Sequence, residues 1–216
     1  MSVITFSREP CSEGTLIAES TAKKLGYRLA GKKTIEEVLL QYVLVGFEAA
    51  YDSLPNFWTR FDDETTRMVQ MFDRVVLAMA RLGDVVIMGR GAFRVLAPYK
   101  NVLHVRIKSP FSYRLTTYMY RYNIFDEKKA KSALLEADRL RASYLEMHYG
   151  IRHDSSEYFD LVIDTSKIPP HTAVPFIIKA VETIGDVQDG KKPSTDSIEV
   201  DDILLEATRR VLDEQP

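Results

Sequence analysis

Val3-Ile4-Thr5-Phe6-Ser7-Arg8-Glu9-Pro10-Cys11-Ser12-Glu13-Gly14-Thr15-Leu16-Ile17-Ala18 decides how the chain is read. Val3–Phe6 is short, apolar and β-branched, the pattern of a buried strand, and Thr15–Leu25 reads as the helix that follows it. The polar turn between them joins the two without a hairpin signal. Strand, turn, helix is the unit from which parallel sheets are wound. The same signature recurs downstream at Val85–Met88, Val102–Ile107 and Leu161–Ile163, with Tyr27–Leu29 as a weaker fifth strand. Helical spacing is expected over Thr34–Phe47, Asp62–Leu82, Pro110–Tyr122, Glu127–Tyr149 and His171–Ile184. The alternation predicts a three-layer α/β fold with helices on both faces of a parallel sheet.

The stretch from Thr34 to Leu82 is longer than one crossover needs, and such insertions commonly wall a ligand cleft. After residue 184 the chain turns polar, so residues 185–198 read as a linker. Beyond it, Val200, Ile203, Leu204, Ala207, Val211 and Leu212 form a one-sided stripe, so 199–216 is expected as an amphipathic helix. It either docks on its own body or makes a subunit contact, leaving a homo-oligomer open.

Composition narrows the function classes. The 216 residues carry 29 Lys+Arg against 31 Asp+Glu, a formal net charge of -2, which argues against a polybasic nucleic-acid or membrane-surface binder. One cysteine excludes an internal disulfide framework and any multi-cysteine metal site. No apolar run approaches a membrane span, and no leader pattern opens the chain, so a cytoplasmic protein is expected.

In a doubly wound sheet, the turn after the first strand is where anions bind, because the next helix offers unpaired N–H groups there. Against the pattern Gly-x4-Gly-Lys-Ser/Thr, Arg8 and Glu13 occupy the glycine positions, Gly14 the lysine position, and Thr15 keeps the hydroxyl. Arg8 can replace the missing cation, whereas Glu13 repels a triphosphate unless a cation intervenes. The bland alternative is a plain turn with Ser12 as helix cap. Cys11 reads as a small residue in a tight loop, or as a thiol activated by the helix end.

A second candidate is Met88-Gly89-Arg90-Gly91-Ala92, at the end of a strand, where two glycines admit a ligand to the backbone and an arginine can grip phosphate. Arg114 and Arg121 lie seven apart on one predicted helix, and Asp138-Arg139-Leu140-Arg141 lies on the next. A hairpin with arginines on both arms could close over a polyphosphate. His104 on a central strand reads as a core histidine; His148, His153 and His171 have no metal-ligand spacing.

With these residues in hand the chain resembles the cytidylate-kinase-like family of P-loop nucleoside monophosphate kinases. The resemblance runs through Val3–Glu9, Gly14–Ala18, Ala22–Tyr27, Val86–Ala92, Leu103–Ile107, Ser109–Phe111 with Arg114, Glu136–Arg139, Tyr144-Leu145, Tyr149-Gly150 and Tyr158–Ser166. It implies a P-loop kinase fold over 1–184 with a five-stranded parallel sheet, a nucleotide-binding insertion at about 32–62 and a lid at about 114–141. It implies ATP and Mg²⁺ as cofactors and CMP or dCMP as acceptor. Ser7, Arg8, Ser12, Gly14, Thr15, Arg114 and Arg121 would hold the donor, with Thr15 on Mg²⁺. Gly89, Arg90, Gly91 and Asp138 would hold the acceptor, and Arg90, Arg139 and Arg141 would serve transfer. Members commonly read Ser-Arg-Glu-Tyr-Gly-Ser-Gly-Gly-Arg through the first loop, so Cys11 and Glu13 stand where two glycines are usual. An aspartate that often follows Gly-Tyr-Arg-Leu is replaced by Ala30-Gly31. A non-catalytic nucleotide-binding module of the same fold, or a kinase for another small molecule, are the alternatives.

Overall fold

The computed structural model describes residues 1–50, 64–152, 155–184 and 192–214. Five strands, β1 (Val3–Arg8), β2 (Arg28–Ala30), β3 (Val85–Met88), β4 (Val102–Lys108) and β5 (Leu161–Asp164), pair in the order β2-β3-β1-β4-β5, each pairing parallel. Successive side chains of a strand face opposite ways. Val3, Val85 and Ile87 therefore enter one core, with Ile35 and Val38 of α2 (Lys32–Ala50), Val75 and Met79 of α3 (Glu64–Leu82), and Leu96 just beyond the single turn α4 (Ala92–Val95). Ile4, Phe6, Val86, Val105 and Ile107 enter the other, against Ile17 and Ala18 of α1 (Gly14–Leu25) and Ala173 and Ile177 of α7 (Pro170–Ile184). The sheet is thus apolar on both faces, which is why its strands read as unbroken hydrophobic runs.

α5 (Phe111–Tyr122) and α6 (Glu127–Tyr149) form a hairpin beyond β4. Asn123 ends α5 in the left-handed region at φ 52, and the Asp126 carboxylate starts α6 by accepting from the Lys129 amide at 3.1 Å. The turn falls in the polar break at Tyr122–Glu127.

The C-terminal helix α8 (Asp202–Asp213) opens on Asp201, whose carboxylate accepts from the Leu204 amide. Its stripe (Leu204, Ala207, Val211 and Leu212) is buried against α2 and α3. That apolar face is spent inside the chain and is not available for the homo-oligomer contact considered above. The expected linker also needs correction where it is described. Thr195 is buried, its amide donating to the Asn101 side chain at 2.9 Å while Asn101 Nδ2 donates to its hydroxyl at 2.8 Å. Ile198 joins the core. Residues 192–198 are docked by Asn101, and 185–191 lie outside the described residues, as do 51–62 of the insertion and His153.

Three turns meet at the carboxyl edge of the sheet. Because β1 lies between β3 and β4, the turn after β1 is flanked by the turns after the other two. The Gly89 amide donates to Phe6 O at 2.9 Å, and the Glu9 amide to Ile107 O at 3.1 Å.

Candidate active site

The turn after β1 keeps a glycine-type backbone without the glycines. Cys11 and Glu13 sit in the left-handed region at φ 58 and 60. Ser12 does not cap α1; its fully buried hydroxyl donates to Glu9 O at 2.9 Å and its carbonyl accepts from the Thr165 hydroxyl at 3.0 Å. The Ser12 side chain is thereby spent within the protein, against the expectation that it holds nucleotide. Glu13 is the cap residue, yet its side chain makes no cap bond, so the first N–H groups of α1 stay open. Its carboxylate accepts instead from Arg121 at 2.9 Å. Gly14 is required by packing, since a Cβ there would lie 2.5 Å from Arg8 Cβ. That small size seats the helix on β1, where it had been expected to admit a ligand. Burial pushes the Cys11 thiol up, away from a reactive thiolate.

A cavity of about 240 Å³ lies over this turn, lined by Cys11, Glu13, Thr15, Tyr118, Arg121 and Arg141. Thr15 is exposed at its edge. Among the described residues no three His, Cys, Asp or Glu side chains gather to hold a metal ion. The exposed Thr15 hydroxyl is an oxygen donor of the kind Mg²⁺ takes beside phosphate and water.

A second cavity of about 360 Å³ adjoins it. Arg8 from β1, Arg90 from the turn after β3 and Arg141 from α6 line it with Lys32, Ser7, Gly89 and Gly91. Among the described residues no carboxylate lies within ion-pairing distance of Arg8, Arg90 or Arg141. Burial, then the charges of Arg141 and Arg90, pull Arg8 down to about 10. Three uncompensated guanidiniums on one wall suit an anion. Gly89, Arg90 and Gly91 are all left-handed, at φ 76, 56 and 70, and the Tyr149 hydroxyl holds this turn, its one proton shared between Asp73 at 2.7 Å and Arg90 O at 3.1 Å. A Cβ on Gly91 would meet the Tyr149 ring at 2.2 Å.

Other expected site residues are engaged elsewhere. Arg114 is buried, with Nη1 3.0 Å from both Asp138 oxygens and Nε 3.3 Å from Glu9. Glu9 also accepts from the Ser109 amide at 3.0 Å. Arg114 and Asp138 are thus a structural clamp between the first turn and the hairpin, a correction to their assignment as donor and acceptor ligands. Arg139 is exposed and donates twice to Glu136 at 2.8 Å. Two residues apart on a helix point about 200° apart, so Arg139 and Arg141 cannot share a face, and it is Arg141 that reaches the cavities. Arg121 reaches the turn but is bound to Glu13. His104 is the core histidine expected, with Nδ1 2.8 Å from the Thr5 hydroxyl and its amide donating to Asp160. Glu9, Lys32, Phe72, Tyr144 and Tyr149 were not singled out; only the presence of Glu9, Tyr144 and Tyr149 in the matched stretches hinted at them.

A parallel five-stranded sheet with an uncapped helix start and arginines gathered at its carboxyl edge is an α/β architecture with an anion-binding edge. The chain belongs to the Cytidylate kinase-like family, whose sequence model matches residues 3–167. It is similar to a cytidylate kinase from Pyrobaculum neutrophilum, 29% identical over 199 residues that cover 89% of this chain and 99% of that one. A cytidylate kinase from Ignicoccus hospitalis is 28% identical over 174 residues, 81% of this chain and 95% of that one. The fold matches the crystal structure of a protein from Eubacterium ventriosum with a TM-score of 0.67 at 21% identity, covering 85% of this chain and 99% of that one. No helix among the described residues is long and apolar enough to cross a membrane.

Proposed function

We propose that this chain is a cytoplasmic nucleoside monophosphate kinase that transfers the terminal phosphoryl group of Mg-ATP to an acceptor of the CMP or dCMP kind. The reading rests on the convergence of Arg8, Arg90 and Arg141, none with a carboxylate partner among the described residues, on one cavity beside the open amides of α1. Phosphoryl transfer asks for alignment and charge neutralisation more than for a nucleophilic side chain. In this reading the turn at residues 7–15 and the α1 amides bind the donor phosphates, and Arg90 grips the acceptor phosphate. Arg8 and Arg141 stand between the two. Mg²⁺, held by Thr15, would neutralise donor charge. The α5–α6 hairpin is the lid, and α2 with the residues to 62 walls the acceptor side.

The test is incubation with Mg-ATP and a panel of nucleoside monophosphates, counting diphosphate products. Turnover with a cytidine acceptor is expected. Tight ATP binding without turnover of any acceptor would sink the kinase reading and favour a non-catalytic binding module, the reading that the Glu13 carboxylate in the donor cavity supports.

A further inference from the structure

Arginines that grip phosphate are commonly oriented by a carboxylate, which also cancels part of their charge. Arg114 and Arg121 in this chain are held in that way, by Glu9 with Asp138 and by Glu13. Arg90 is not. Its guanidinium carbon lies 5.3 Å from the centre of the Phe72 ring on α3 and 5.6 Å from that of Tyr144 on α6. Both distances fall within cation–π range, and Phe72 is buried, so that contact is shielded from water. The buried Tyr144 hydroxyl lies close to the Arg90 guanidinium and the Tyr149 hydroxyl without well-formed hydrogen-bond geometry, so the contact that Tyr144 makes with Arg90 is chiefly that of its ring face. The backbone beneath is fixed separately, through the Tyr149 hydroxyl on Arg90 O.

We infer that Phe72 and Tyr144 are positioning residues that orient Arg90 in the acceptor site by their ring faces. They take the place of a carboxylate and leave the full positive charge of Arg90 for the incoming phosphate. The inference rests on the kinase reading above for its purpose and on the ring geometry for its substance. It also couples the sites. Tyr144 is three residues from Arg141 on the same helix, so the element that brings Arg141 to the cavities also seats Arg90. Retaining the charge carries a cost: Arg90 can be aligned only while both helices stay packed at this edge.

The experiment compares Phe72→Leu, Tyr144→Leu and Tyr144→Phe in the full chain. Each leucine variant is expected to raise the acceptor KM about 5- to 30-fold, equivalent to about 1–2 kcal/mol at 1.36 kcal/mol per decade. Donor KM should stay within about twofold, and Tyr144→Phe should behave as wild type in both. Equal rises in donor and acceptor KM would mean general damage to the fold and overturn the inference. So would a Tyr144→Phe as poor as Tyr144→Leu, which would assign the role to the hydroxyl. A second readout needs no turnover: the Arg90 Nε–H resonance, assigned with Arg90→Lys, should carry a ring-current shift that shrinks in each leucine variant. An unshifted resonance in wild type overturns the clamp. A clear shift in a protein that phosphorylates no acceptor would instead overturn the kinase reading while the clamp stands.

Discussion

Replacing Glu13 by glycine separates two things that this residue does at once. Glu13 holds a left-handed backbone at φ 60 and places a carboxylate in the donor cavity, 2.9 Å from Arg121. For folding, glycine relieves about 1–2 kcal/mol of left-handed strain and costs about 0.5–1 kcal/mol in backbone entropy. It also gives up an ion pair with side chains 45% and 18% exposed, about 0.2–1 kcal/mol for so open a contact. These offset one another to within about 1 kcal/mol, so the urea midpoint should scarcely move. Binding is different. A carboxylate about 5 Å from a phosphate charge repels it by about 1–3 kcal/mol at effective dielectrics of 80 to 20. The wild-type protein must also break the Arg121 contact before Arg121 can turn to the nucleotide. Glu13→Gly should therefore bind Mg-ATP about 5- to 30-fold more tightly by calorimetry. Glu13→Gln, which removes the charge but keeps the strained backbone, should recover most of that gain. If both variants bind Mg-ATP no better than wild type, the donor does not occupy this turn and the reasoning fails.

Arg141→Ala should cut turnover by about 100-fold or more, the scale of losing one preorganised charge, whereas Arg139→Ala should stay within about twofold; equal losses would show that α6 is phased differently. Arg114→Ala leaves Asp138 without its buried partner and Glu9 with only Arg106, at 3.7 Å, and should cost about 3 kcal/mol in denaturant unfolding. Arg114→Lys should rescue less than half of this, because one ammonium cannot serve both carboxylates, and full rescue would refute the clamp. His104 is held below its ordinary value chiefly by burial, so the unfolded chain binds the proton more readily. Its contribution is complete above about pH 6.5 and falls away as the pH drops below that value. Unfolding measured from pH 7.5 to 5 should show this loss, and His104→Gln should flatten it. Finally, because Arg8, Arg90 and Arg141 repel one another, pyrophosphate at 100 times its Kd should stabilise the protein by about 2.7 kcal/mol. A melting temperature indifferent to pyrophosphate would count against an anion site there.

The parallel sheet was legible because its strands are buried on both faces and so appear as unbroken apolar runs. Val85–Met88 comes out residue for residue. β2 was only a hint, since three residues at a sheet edge carry little pattern, and the single turn of α4 carries none. The site was harder for specific reasons. Asp138-Arg139-Leu140-Arg141 offers two arginines that helical periodicity must place on opposite sides, but the sequence does not say which side faces the cleft. Arg114 looked like a ligand because its partner Glu9 is more than a hundred residues away. The left-handed backbone at Cys11 and Glu13 left no trace, because the residues that ordinarily mark it are absent.

The choice between an enzyme and a binding module turns on how the two cavities meet. A module that only holds a nucleotide needs one anion pocket, and the open amides of α1 would provide it. Here a second pocket adjoins the first, and Arg8 and Arg141 line both. In the proposed reading these two guanidiniums on a shared wall would face the point where a group leaving the donor meets the acceptor, where charge must be neutralised during transfer. Neither has a carboxylate in ion-pairing range among the described residues, and Arg90 is oriented by rings and not by a counter-charge. Three arginines kept uncompensated at one edge weaken the empty protein through like-charge repulsion. That cost is offset only when phosphate lies between them, on both sides of the shared wall. The missing loop lysine is in this light a displaced charge, supplied from β1 and from the hairpin. On that proposal Glu13 is an impediment that a nucleotide would have to displace from Arg121, and not proof that the chemistry has been lost.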